Sequence, residues 1–163
     1  LTSAKFAKLL ASLDGQAHFV VQPCDGLAHA IERSTAQAVP ATSDATETRA
    51  LCASYTSAMG RFGTQAGEMD TLVLGCTHYV FVQDELRSLL GPHIHLIATG
   101  EPVARQTRRL LHAGGALAPE GATPPAPAVT LFTTGALPPL QNAALRWLQL
   151  PAQCCATVDL PSG

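Results

Sequence analysis

Three side chains that could do chemistry follow one another at the end of an apolar run. Cys76, Thr77 and His78 come directly after TLVLG, residues 71–75. Ligands of parallel sheets lie just beyond the carboxyl ends of the strands, so this is a favourable place for a site. A helix starting soon afterwards would direct its positive end at Cys76, which favours a thiolate. The pattern predicts a reactive cysteine with a histidine close enough to exchange a proton.

Spacing alone leaves other interpretations of these residues open. A cysteine after an apolar run is commonly a small core residue, and a single histidine beside it is commonly structural. Zinc is a further option, but Cys76 and His78 supply two close ligands where a zinc site takes three or four. We therefore predict no metal site here.

The apolar pattern alternates between helices and strands. Helical spacing predicts helices over residues 3–13, 25–34, 44–59, 81–90, 101–112 and 139–150. Short apolar runs predict strands over residues 18–22, 71–75, 95–98, 129–133 and 154–160. Asp44 is predicted to cap its helix with Glu47, and the strand at 71–75 to be buried on both faces. This alternation predicts an α/β fold with a mainly parallel sheet.

Composition limits the possible partners. The chain has 163 residues, which suits one domain or two small ones, and its net charge of -2 gives no indication of a nucleic-acid partner. Its apolar runs are shorter than the roughly 18 residues that span a membrane. Five cysteines without a CxxC motif predict free thiols in a cytoplasmic protein.

The composition also suggests that part of the surface is covered by something outside the chain. Charged residues make up 13%, against a typical value of about 25%, although the many alanines could also produce this. Residues 113–128 are a linker by composition, and residues 129–163 offer only two strands and one helix. Two strands are too few for a stable sheet, so this segment must dock on residues 1–112 or on a partner. Since the sequence begins at Leu1, we expect a processed or cut chain.

Four stretches together resemble a known family. VLGCTHY resembles the second cysteine motif of the glutamate racemases, in the aspartate/glutamate racemase superfamily. Three supporting stretches follow the family's order over nearly the whole chain: QPCDGLAHAIE (22–32), LIATGEPVARQTRRLL (96–111) and VTLFTTGALPPLQNAALRWL (129–148). Val80 is a departure, because the family usually has proline after this motif.

The resemblance implies the architecture of a half-enzyme. Residues 1–112 would form the second racemase domain, an α/β three-layer sandwich with a mainly parallel sheet. After the linker at 113–128, residues 129–163 would form a β-α-β segment that completes the first domain. The family's first cysteine and its aspartate-serine motif do not occur in this sequence. The resemblance therefore implies a missing N-terminal half of the same enzyme as a partner.

The resemblance also implies a chemistry and a role for each site residue. The family inverts glutamate without a cofactor, using one thiol on each face of the substrate. Cys76 matches the cysteine that faces L-glutamate, and His78 matches the histidine that assists it. Glu32 matches the acidic partner of that histidine, and Thr77 matches a substrate-contacting threonine. L- and D-glutamate are the implied ligands.

The implied enzyme is a cytoplasmic glutamate racemase that supplies D-glutamate for peptidoglycan, and hence for the cell wall and cell shape. With one thiol of two, the chain alone is expected to be inactive. Alternatives are another superfamily member acting on aspartate, hydantoins or maleate, a non-catalytic fragment with an inherited fold, and a metal-binding protein. The oligomeric state, including a homodimer, stays open.

Overall fold

The computed structural model describes residues 3–36, 42–123 and 129–160. These residues form six α-helices: α1 (Ala4–Ser12), α2 (Leu27–Ala36), α3 (Thr42–Met59), α4 (Gln83–Leu90), α5 (Gly100–Ala113) and α6 (Leu137–Leu148). They also form four strands: β1 (Thr71–Val73), β2 (His95–Ile97), β3 (Leu131–Thr133) and β4 (Cys155–Thr157). Short 3₁₀ helices cover Tyr79–Val82 and Ala152–Cys154. The predicted alternation of helices and strands is confirmed, and the element ends differ by a few residues.

The strands form two separate parallel pairs. Strand β1 pairs with β2, with Leu72 opposite Leu96, and β3 pairs with β4, with Phe132 opposite Ala156. Parallel pairing is what helices between consecutive strands predict. The fold is therefore of mixed α/β type.

The core lies between β1 and the helices on one side of it. Its buried members come from α2, α3, β1, the turn after β1, the 3₁₀ helix Tyr79–Val82 and α4: Leu27, Ile31, Cys52, Leu72, Leu74, Val82 and Leu86. Helix α3 packs against α2 and α4, and exposed ion pairs Arg33–Glu47 and Arg49–Glu85 link the same helices. Exposed pairs of this kind add little stability, so apolar burial holds these helices together.

The C-terminal segment docks on the earlier part of the chain. Helix α6 packs against α2 and also contacts β3 and β4. Within the described residues, the segment therefore contacts the part of the chain before residue 113.

Three local predictions were wrong. Residues 18–22 form no strand; no neighbouring strand among the described residues pairs with them, and Phe19 is exposed. Helix α3 begins at Thr42, which places Asp44 inside its first turn and not at the N-cap position predicted for it. Strand β1 is buried on one face only, because Val73 is 59% exposed beside an exposed Ile97.

Helix α5 lies at the surface along its whole length. None of its residues is buried, and Val103 and Leu110 are among its exposed apolar side chains. No helix in the described ranges is long and apolar enough to cross a membrane.

Candidate active site

The segment after β1 forms a tight turn that carries Cys76, Thr77 and His78. Leu74 is still tied to β2 through its N–H, which donates to the Ile97 carbonyl at 2.9 Å. The chain then turns, and the N–H of Tyr79 donates to the Cys76 carbonyl at 3.2 Å. Cys76 is half-buried in this turn and Thr77 is exposed. The reactive residues therefore sit at the carboxyl end of β1, at the position predicted from the sequence.

Helix α2 brings Glu32 to the same turn. His78 Nδ1 lies 3.6 Å from Cys76 Sγ, and His78 Nε2 lies 2.8 Å from Glu32 Oε1. Leu27 and Ile31 are buried in the core, whereas Glu32, the next residue of α2, lies at the surface and contacts His78. The three predicted catalytic residues thus form one connected row, and Thr77 lies exposed beside them on the same turn.

The row of contacts sets the roles of the imidazole nitrogens. An ionised carboxylate only accepts hydrogen bonds, so His78 Nε2 carries the proton that it donates to Glu32. In the neutral ring, Nδ1 is then the acceptor that faces the Cys76 thiol. In this tautomer the Nδ1 lone pair faces the Cys76 thiol, while Nε2 faces the Glu32 carboxylate.

Tyr79 and Cys24 connect the turn to the core. The Tyr79 hydroxyl donates to the Cys24 carbonyl at 3.4 Å, and both side chains pack against the core. Burial, followed by the nearby Cys24 and Cys76 thiols, raises the pKa of Tyr79 well above its usual range. Burial also raises the pKa of Cys24, and its hydrogen bond with Tyr79 offsets part of that rise. Both groups stay protonated near neutral pH, which fits packing roles.

The helix expected to point at Cys76 starts later than the sequence suggested. The 3₁₀ helix Tyr79–Val82 follows the turn, and α4 begins only at Gln83. The first turn of α4 already carries Asp84 and Glu85, which occupy its positive end. The histidine, and not a helix dipole, is therefore the main group that can assist the Cys76 thiol.

The remaining cysteines lie apart from this chemistry. Cys52, Cys154 and Cys155 are buried, and all five cysteines are free thiols. Burial raises the pKa of Cys52 to about 11. Among the described residues, no three His, Cys, Asp or Glu side chains are grouped closely enough to hold a metal ion.

A surface groove on α5 is separate from this row. Its volume is about 300 Å³, and none of the row's residues lines it. Its lining is Arg105, Arg108, Arg109, His112 and Leu117. The chemistry that can be read from side-chain contacts lies at the Cys76 turn and not in this groove.

Comparison with known proteins identifies relatives of the chain. It is 40% identical over 125 residues to a glutamate racemase of Cupriavidus pinatubonensis, and 40% identical over 141 residues to one of Ectopseudomonas mendocina. These matches cover 76% and 86% of this chain. The chain is related to the glutamate racemases. No family model matches it.

The relationship to glutamate racemases covers only part of those enzymes. The two matches span 41% and 48% of the relatives' own lengths. The crystal structure of a glutamate racemase isoform from Bacillus anthracis has the same fold, with a TM-score of 0.70 at 24% identity. That match covers 98% of this chain and 53% of the solved one. The chain thus spans about half the length of the glutamate racemases that it matches.

Sequence reasoning missed two contacts around the site. The link between Tyr79 and Cys24 and the packing of Trp147 on Phe81 both join segments far apart in the chain. Nothing in the spacing of Tyr79 identified its partner. Trp147 showed only the helical period of α6.

Proposed function

We propose that this chain is the second half of a glutamate racemase, which interconverts L- and D-glutamate without a cofactor. The row Cys76–His78–Glu32 carries the proposal, because it links a half-buried thiol to an imidazole and a carboxylate within hydrogen-bonding reach. The relationship to glutamate racemases supports glutamate as the substrate.

In the proposed reaction, Cys76 acts as the base on the L-glutamate side. His78 Nδ1 takes the thiol proton, and the thiolate then removes the α-proton of L-glutamate. The new S–H bond forms as the α-carbon–hydrogen bond breaks, and the electron pair stays on the carbanion. A thiol on the opposite face returns a proton to give D-glutamate. The same steps run backwards from D-glutamate, with Cys76 then acting as the acid.

Glu32 and Thr77 have supporting roles in the proposed reaction. Glu32 offsets the positive charge that His78 gains, which lowers the cost of forming the thiolate next to it. Thr77 lies exposed on the same turn and is proposed to bind the substrate through its hydroxyl. The proposed proton transfers need neither a metal nor an organic cofactor.

The opposite thiol is proposed to come from an N-terminal half of the same enzyme. The chain spans about half of its relatives, and the face of β1–β2 that carries Val73 and Ile97 is open to solvent. Under this proposal residues 1–112 belong to the second domain, a three-layer sandwich, and residues 113–128 link it to the segment 129–163. That segment would complete the first domain. The 163-residue chain alone is expected to show negligible racemisation.

The cellular role follows from the substrate. A glutamate racemase supplies D-glutamate for peptidoglycan, and thus for the bacterial cell wall and cell shape. The five free thiols favour a reducing compartment, and we propose the cytoplasm.

A substrate panel tests the proposal. The test uses the joined protein, meaning this chain together with the N-terminal half that the proposal requires. Circular dichroism would follow inversion of L- and D-glutamate, L-aspartate and a 5-substituted hydantoin, and absorbance would follow isomerisation of maleate. Inversion of both glutamate enantiomers, abolished by Cys76→Ala and kept by Cys24→Ala, is expected. Turnover of another panel member in place of glutamate would assign the chain to a different activity of the superfamily, and no turnover would favour a non-catalytic fragment.

A further inference from the structure

The C-terminal end of α6 touches both segments that carry the Glu32–His78 pair. Arg146 Nη1 donates to the carbonyl of Ser34 at 2.8 Å. Ser34 lies on α2, in the turn of helix that follows Glu32. This hydrogen bond therefore fixes the part of α2 that carries Glu32.

The next residue of α6 holds the other segment. The Trp147 ring stacks on Phe81 with a centroid distance of 4.7 Å and an interplanar angle of 29°. Phe81 belongs to the 3₁₀ helix after His78, and its N–H donates to the His78 carbonyl at 3.1 Å. The stack is therefore connected to the backbone of His78 through this hydrogen bond.

The two contacts are also coupled to each other. The Arg146 guanidinium carbon lies 4.7 Å from the centroid of the Trp147 ring, within the range of a cation–π interaction. One arginine and one tryptophan, adjacent on α6, thus hold α2 on one side and the 3₁₀ helix on the other.

From these contacts we infer that Arg146 and Trp147 are positioning residues, which hold Glu32 and His78 in register with Cys76. The inference rests on the proposed function, in which that row transfers protons. Neither residue touches the reacting atoms. Their role is to fix the distance between α2 and the 3₁₀ helix Tyr79–Val82, which are far apart in the sequence.

The Trp147 indole suggests a sharp test of this role. Its Nε1 is buried and has no hydrogen-bond partner among the described residues. The ring therefore acts through its contacts with Phe81 and Arg146 and not through a hydrogen bond. A phenylalanine at this position keeps an aromatic ring there without losing a hydrogen bond. Trp147→Phe should preserve the arrangement that Trp147→Ala destroys.

The experiment is ¹⁵N NMR of the histidine rings in the full 163-residue chain, with the His78 signals assigned by their loss in His78→Asn. Separate nitrogen shifts that mark the Nε2–H tautomer are expected for the unaltered chain and for Trp147→Phe. Trp147→Ala and Arg146→Ala should lose this signature and show averaged shifts. Leu145→Ala is the matched control, because Leu145 is 64% exposed on the same helix, and it should change nothing.

Three results would overturn the inference. They are an unchanged tautomer signature in both alanine variants, a signature lost equally in Leu145→Ala, and averaged shifts in the unaltered chain. If Trp147→Ala does not fold, the spectrum of Arg146→Ala decides the question, because that substitution removes a hydrogen bond at the surface. Failure of the proposed function is measured separately, because racemisation by the joined protein can be absent while the tautomer still depends on Trp147.

Discussion

His78 Nε2 lies 2.8 Å from Glu32 Oε1, although the two residues are 46 positions apart in the chain. The packing of α2 against α3 and against the 3₁₀ helix Tyr79–Val82 creates this meeting. The Glu32 side chain is 60% exposed and that of His78 is 32% exposed. A pair this exposed contributes little to stability, and we propose that it serves to orient the imidazole toward Cys76.

Replacing Glu32 by glutamine should lower activity with little effect on stability. The amide of the new side chain could accept a hydrogen bond from His78 but could not offset the positive charge of the ring. We expect kcat/KM of the joined protein to fall by about 10- to 100-fold, part of the ~10²–10⁴ that an acid–base group supplies. The free energy of unfolding in urea should change by less than about 1 kcal/mol. An unchanged kcat/KM would remove Glu32 from the mechanism.

Cys76 should be the first of the five cysteines to react with iodoacetamide near neutral pH. It is half-buried beside His78, whereas Cys52, Cys154 and Cys155 are buried, and burial raises the pKa of Cys24. Peptide mass spectrometry at timed intervals would give the five rates. His78→Asn should slow Cys76 and leave Cys24 unaffected. Equal rates at all five sites would favour an inert thiol.

Stability should fall in alkaline solution because of Cys52. Its pKa is raised by burial from an ordinary value of 9.0 to about 11 in the folded chain. The unfolded chain therefore releases this proton first, and the stabilisation is complete below pH 9 and is lost as the pH rises through 9 to 11. Between pH 8 and pH 10 the loss from this group is on the order of 1 kcal/mol. Urea unfolding of Cys52→Ala should show a correspondingly smaller decrease, and an identical decrease would contradict the assignment.

Ile31 should be a large contributor to the stability of the core. It is 1% exposed, on the face of α2 that packs in the core. Ile31→Ala should reduce the free energy of unfolding by about 2–5 kcal/mol, through lost burial and the cavity that remains. Leu110→Ala is the control, since Leu110 is 62% exposed on α5 and should change stability by less than about 0.5 kcal/mol. Equal effects would place Ile31 outside the core.

Much of the fold was predictable because the chain alternates short apolar runs with helical patterns. The location of Cys76 at the end of β1 was predictable from the apolar run before it, and the role of this candidate site stays a prediction. The strand predicted at residues 18–22 failed because a strand needs a neighbour to complete its hydrogen bonds, and pattern cannot show whether one is present. The prediction that both faces of β1 are buried was wrong at Val73, because an apolar run cannot show whether another segment covers that face.

The partners within the site were harder to predict. Cys76 and His78 are close in sequence, so their contact follows from the turn. Glu32, Arg146 and Trp147 reach the same place only through the packing of α2 and α6. Glu32 was predicted from a resemblance, whereas the two α6 residues had no signal beyond helical spacing. Contacts between distant segments depend on tertiary packing, which local patterns do not encode.

In the proposed function, Cys76 exchanges the α-proton of L-glutamate. The most direct measurement is ¹H NMR of α-hydrogen exchange in D₂O, with L- and D-glutamate supplied separately to the joined protein. We predict rapid exchange into L-glutamate that disappears in Cys76→Ala and persists in the Cys24→Ala control. Undiminished exchange into L-glutamate in Cys76→Ala would contradict the account, as would the absence of exchange in the unaltered, folded protein.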